Sequence, residues 1–209
     1  MKTETAVRKI LAPAIPYIAI GAGLLLFHNA WLAIFSYHLG IILLVHFSGA
    51  GVPVRLVFRS RDYRLPVLAA MLGGAGGILL YVLWPMLAMP DDIELYLQSI
   101  GLNAGIWPIF LVYFAVVNPL IEEYYWRGCL GSKRQRPVLN DLWFSGYHLL
   151  VMAGNIGVMW LPVIFLVLAV TAWFWRQIDR LGEGLLPSVA SHIAGDIAVI
   201  TTIYYMSMW

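Results

Sequence analysis

The residues of this chain whose types and spacing could do chemistry fall into three short groups. They are Glu122-Glu123 with Arg127, His148 four residues after Phe144, and His192 four residues before Asp196. Each group interrupts an apolar run. Ionisable side chains inside membrane segments cost about 2.5–3.5 kcal/mol each on insertion scales, so they mark function and seek a partner. On a helix, Glu123 and Arg127 share a face with the acid on the N-terminal side, the favourable order for an ion pair. Glu122 projects about 100° away from Glu123. One carboxylate can therefore hold the arginine while the other faces a different environment. Pro119, just upstream, opens the helix backbone beside the acid. The structural alternative is a cluster that caps a transmembrane helix at the lipid headgroups.

A carboxylate with two imidazoles suits hydrolysis. Glu122 can take a proton from water as general base, and His148 can share and orient that water. His192 and its helical neighbour Asp196 can donate hydrogen bonds to the oxyanion of an attacked carbonyl. A second chemistry fits the same groups: Glu122, His148 and His192 could ligate zinc, which would activate the water itself. Residue types alone leave both open. The single cysteine, Cys129, excludes an intramolecular disulfide and a cysteine-based zinc site, and no motif frames it as a nucleophile.

These groups need helices to carry them. The chain has 209 residues, 61% of them hydrophobic and 11% charged, with a mean hydropathy of +0.81. That composition predicts an all-α polytopic membrane protein with an intramembrane site, a single integral domain over 1–209 without room for a soluble one. A net charge of +2 offers no basis for nucleic-acid binding. About seven spans are expected, near 10–27, 30–47, 65–87, 106–126, 141–153, 158–175 and from 185 onward, with His28-Asn29 breaking the first from the second. Asn140 or Asp141 reads as the N-cap of the short fifth helix, and 176–183 as a loop of mixed charge. Pro90, Asp91, Asp92 and Glu94 form an acidic connector. His38 and His46 have no acid nearby in sequence and read as packed or interfacial. The glycines of 73–77 have no strand before them and no lysine after them, so they read as a close helix-packing surface instead of a phosphate loop. Residues 2–9 before an apolar run lack a small-residue cleavage pattern and read as the approach to a first anchor.

Counted inward along their helices, Glu122, His148 and His192 all lie roughly 8–12 Å below one surface. Three separate helices thus bring an ionisable group to one level, as a buried polar site requires. The three groups in this order, Glu122-Glu123-xxx-Arg127, Phe144-xxx-His148 and His192-xxx-Asp196, resemble the motifs of the CPBP family. These are the CAAX-protease and bacteriocin-processing intramembrane peptidases that include the Ras-converting enzymes. The resemblance covers about 109–201, within a catalytic core of 105–205 that follows N-terminal spans over 1–104. It implies an endopeptidase with Glu122 and His148 activating water, His192 and Asp196 at the oxyanion, and Glu123, Arg127 and Phe144 in support. It also implies a glutamic mechanism with no required cofactor, in preference to zinc. The substrate would be a membrane-associated peptide or protein tail. The family commonly has Asn where this chain has Asp196. The minimal length points to a bacterial type in the inner membrane. Other classes that fit the cluster are a non-catalytic scaffold or immunity protein that binds a peptide, and a proton-coupled transporter, which would need a polar path to the other face.

Lys and Arg recur at the N-terminus, in 55–64, in 133–136 and in 176–180, alternating with connectors that carry none. An N-terminus and a site mouth both on the cytoplasmic side satisfy that pattern. Single cysteines placed in 133–136, in a Cys129→Ser background, should be labelled only by reagents that reach the cytoplasm. Labelling from outside intact cells would reverse this orientation.

Overall fold

The computed structural model describes residues 2–49, 51–89 and 92–208, with side chains for 11–49, 51–89 and 92–207. Pro90 and Asp91 of the expected acidic connector, and the basic side chains of 2–9, lie outside the described residues. All regular structure among the described residues is helical, as the composition predicts.

Helix α1 (Lys2–Ile20) runs into a π-helical turn, Gly21–Leu26. The break at His28-Asn29 has a local cause: the Asn29 side chain accepts the Leu32 N–H at 2.8 Å and caps α2 (Ala30–Ser48). Helix α3 (Arg64–Leu83) tightens into a 3-10 turn at Trp84–Met86 and is followed by the short α4 (Ile93–Ser99). One segmented rod then comprises α5 (Trp107–Val112), a π turn (Tyr113–Val117), α6 (Asn118–Glu123) and a second π turn (Tyr124–Cys129). Pro119 explains the first of these turns, because its ring would collide with the carbonyl of Ala115 in a regular helix. Helices α7 (Leu139–Met152), α8 (Leu161–Gly182) and α9 (Leu186–Met208) complete the chain.

Four helices among the described residues are long and apolar enough to cross a membrane: Ala30–Ser48, Arg64–Met86, Val158–Gly182 and Leu186–Ser207. The other three expected passages are the apolar stretch Leu11–Leu26, the segmented rod and the 14-residue α7. Large apolar side chains point outward, with Met71 and Ile78 each 69% exposed and Leu166 63%. Such a surface is mismatched to water and matched to hydrocarbon.

Helix α9 is the hub, packing on α3 along its length and on α6, α8 and the first π turn of the rod. The glycines of α3 allow this approach. A Cβ added at Gly73 would lie 2.0 Å from the Ser191 carbonyl oxygen, and one at Gly77 would lie 2.5 Å from the Ala198 Cβ. These small residues do serve close helix packing, as their setting in an apolar run predicts.

Two local expectations are corrected. The N-cap of α7 is Val138, with Asp141 in the first turn accepting the Val138 N–H at 2.9 Å, while Asn140 donates to the Leu130 carbonyl at 2.6 Å. The expected loop at 176–183 is instead the last part of α8, which continues to Gly182 and closes at Glu183 with φ 54°. Charge suggested solvent there, but Arg176 and Asp179 are buried. Arg176 binds both Asp141 oxygens, at 3.1 and 2.8 Å, and the carbonyls of Ser132, Arg134 and Arg136. It thereby ties the backbone of the basic 131–137 loop to α7 and α8, and a charge with that many partners can stay in a helix interior.

The glycine contacts give a sharp contrast. Gly73→Val or Gly77→Val should lower thermal stability in detergent by about 1–3 kcal/mol or more, since backbone must move. Gly74→Ala and Gly76→Ala, which meet nothing within 4 Å, should leave the melting temperature essentially unchanged.

Candidate active site

The rod, α7 and α9 bring the three sequence groups together. Glu122 and Glu123 stand at the end of α6, just before the second π turn, and are 1% and 0% exposed. Glu123 has a hydrogen bond on one side and an ion pair on the other. Its Oε1 accepts from His192 Nδ1 at 2.8 Å, and its Oε2 lies 3.1 Å from Arg127 Nε. The pair expected from the i,i+4 spacing is therefore present, and the second imidazole hangs on the same carboxylate. The Arg127 guanidinium lies 4.0 Å over the Phe144 ring and 5.1 Å from the Trp175 ring. Phe144 thus supports the arginine as a cation–π partner as well as flanking His148.

Glu122 faces elsewhere, as the 100° offset requires. Its Oε1 accepts from the Tyr147 hydroxyl. Its Oε2 is buried without a hydrogen-bond partner and lies 3.6 Å from His192 Nε2. Asp196 Oδ2 is equally unpartnered and equally 3.6 Å from that nitrogen. Both separations exceed a direct hydrogen bond, so the imidazole nitrogen lies close to the two carboxyl oxygens without satisfying either. Two carboxyl oxygens without hydrogen-bond partners thus flank one imidazole nitrogen.

His148 is tied differently. Its Nδ1 is 2.7 Å from the Phe144 carbonyl, which can only accept, so Nδ1 carries the proton. In the neutral ring Nε2 is then a lone-pair acceptor, 3.2 Å from the Tyr147 hydroxyl. His148 reaches Glu122 through that phenol. His148 and Asp196 are half-buried, so the cluster opens on their side. Glu122, His148 and His192 do not gather as ligands, and among the described residues no group of three His, Cys, Asp or Glu could hold a metal ion.

Several participants escaped the sequence reading. Tyr147 precedes a motif residue but looks like any aromatic of an apolar helix. Tyr37 of α2 accepts from Trp126 Nε1 at 2.9 Å and interacts with Glu122. His38 is packed, as expected of an isolated histidine, yet it joins the site at one remove. It donates from Nε2 to Asn118 Oδ1 at 3.1 Å, while Nδ1 accepts from Tyr113 at 2.8 Å. That turns the Asn118 amide toward Asp196. Asp179 accepts the Ser188 N–H at 3.0 Å and pins the start of α9 one turn before His192. Pairing by tertiary contact leaves no sequence spacing to detect. His46, in contrast, is exposed and away from the cluster.

The fold and the site define a helical membrane protein with a buried acid–imidazole centre. A family model, type II CAAX prenyl endopeptidase Rce1-like, matches residues 104–198. That segment, which holds all three motifs, matches the CPBP/CAAX protease family. No curated protein and no solved structure matches the chain.

Removing one partner of a buried ion pair strands the other. Glu123→Gln should destabilise the protein by about 3–5 kcal/mol, read as a lower melting temperature and yield in detergent. Glu94→Gln, at an exposed position of α4, should stay within about 0.5 kcal/mol of the parent.

Proposed function

We propose that this protein is an intramembrane endopeptidase that cuts a membrane-associated peptide or protein tail with a water activated by Glu122. The observation that carries the proposal is the unpartnered Glu122 Oε2, buried beside His192 Nε2 and Asp196 Oδ2. A desolvated carboxylate oxygen with no donor of its own is a base awaiting a proton. The family of residues 104–198 supports protease chemistry at that point.

In this mechanism water bound at Oε2 gives up a proton to Glu122 as its oxygen attacks the scissile carbonyl carbon. The carbonyl oxygen becomes an oxyanion beside His192 Nε2 and Asp196. A protonated imidazole donates to it, and Asp196 does so in its neutral form, where it matches the amide more common in the family. Glu122 then returns the proton to the leaving nitrogen as the C–N bond breaks. The lone pair of His148 Nε2 orients the water from the open side. Glu123, Arg127 and Phe144 hold the second imidazole and the helix end in place.

The proposal includes seven membrane crossings in one integral domain, with the spans of 1–104 packed around a catalytic core of 105–205. It places the N-terminus and the mouth on the cytoplasmic side of a bacterial inner membrane. The partners are the bilayer and a peptide substrate.

Screening purified protein against a library of quenched fluorescent peptides in lipid nanodiscs tests this reading. Wild type should cleave at least one peptide and keep its rate in the presence of a chelator. Glu122→Gln should remain folded and lose about 10³-fold or more in kcat. Near-normal turnover by that variant would show that Glu122 is not the base.

A further inference from the structure

The Tyr147 hydroxyl touches both Glu122 and His148, and neither the motifs nor the protease reading assigns it a role. A phenol has one proton to give. The bond to Glu122 Oε1 uses it, and His148 Nε2 is left with its lone pair. Because Oε1 already accepts the phenol, Oε2, which has no hydrogen-bond partner, is the freer oxygen of Glu122 to accept a proton, and that oxygen lies beside His192.

The phenol is itself held in place. Its ring stacks on Trp126 with 6.0 Å between centroids and planes 6° apart, and it packs against Phe144 edge to face. Tyr37 lies 5.7 Å from it, centroid to centroid, and its own hydroxyl is fixed by the 2.9 Å bond from Trp126. Both phenols and Glu122 are at most 3% exposed, so no water competes for the carboxylate from this side. Tyr37 comes from α2, outside the segment that matches the protease family.

We propose that Tyr147, braced by Tyr37 and Trp126, is a positioning residue that claims one oxygen of Glu122 and aims the other at the reacting water. The proposal rests on the hydrolytic reading for its purpose, while the contact itself can be tested without turnover.

Infrared difference spectra of the full-length protein in nanodiscs supply that test. The carboxyl band of Glu122 is identified by its loss in Glu122→Gln. Tyr147→Phe should displace that band, and Tyr37→Phe should displace it less. On a peptide cleaved by the wild type, Tyr147→Phe should lower kcat by about 10²-fold with KM within about twofold, the pattern of a misaimed base. Its melting temperature should stay close to that of the parent, because ring packing is retained. A Glu122 band unmoved by Tyr147→Phe overturns the proposal, as does an unchanged kcat. An inactive Tyr147→Phe with an unmoved band would also overturn it, by showing a loss that does not pass through Glu122. Full activity of Glu122→Gln would instead overturn the hydrolytic reading, leaving a displaced band as evidence of the contact alone.

Discussion

The cluster depends on one carboxylate that binds two other groups at once. Glu123 is wholly buried and bonds Arg127 within its own helix end and His192 across from α9. In a low-dielectric interior each of these charges would be prohibitive alone, so the three groups exist only as a set. The consequence is directional. Because Nδ1 of His192 is committed to Glu123, its Nε2 must face the other way, toward Glu122 and Asp196. The aromatic faces of Phe144 and Trp175 cover the guanidinium and give the arginine a partner that needs no further charge.

That arrangement needs α9 to sit at one height and one rotation. The glycines of α3 let the backbones of α3 and α9 approach closely, which suits a setting where apolar area burial gives helices little drive to associate. At the other end, Asp179 bonds the Ser188 N–H, and the Leu56 and Arg59 carbonyls accept the N–H groups of Leu185 and Leu186. The entry of α9 is therefore pinned by backbone hydrogen bonds one to two turns before His192. Surface ion pairs from Glu183 to Arg59 and Arg61 lie on the same turn, but their exposure leaves them little energy to contribute.

Helix α2 lies outside the family-matched segment and still reaches the site through adjacent residues. Tyr37 meets the environment of Glu122, and His38 orients Asn118 beside Asp196. Helix α2 is thus more than a membrane anchor beside the family-matched segment. It supplies polar groups on the side of Glu122 and Asp196 that the three motifs leave bare.

Much of this was legible in the sequence. Apolar runs of spanning length specified an all-helical membrane fold, since only a helix satisfies its own backbone in hydrocarbon. The i,i+4 spacing was enough to pair Glu123 with Arg127 and to put Asp196 on the face of His192, and the recurrence of Glu122, His148 and His192 at one depth marked a candidate site, because helical rise converts residue count into depth. Tertiary structure decided what no local period encodes. It placed Tyr147 between Glu122 and His148, gave Glu123 a second bond to His192, brought Tyr37 and His38 in from a distant helix, and buried Arg176 and Asp179 where charge alone suggested solvent. The physical reason is common to these cases. A single helix fixes which residues share its face, but whether a phenol or a charge on that face is solvated or bonded depends on the helix packed against it.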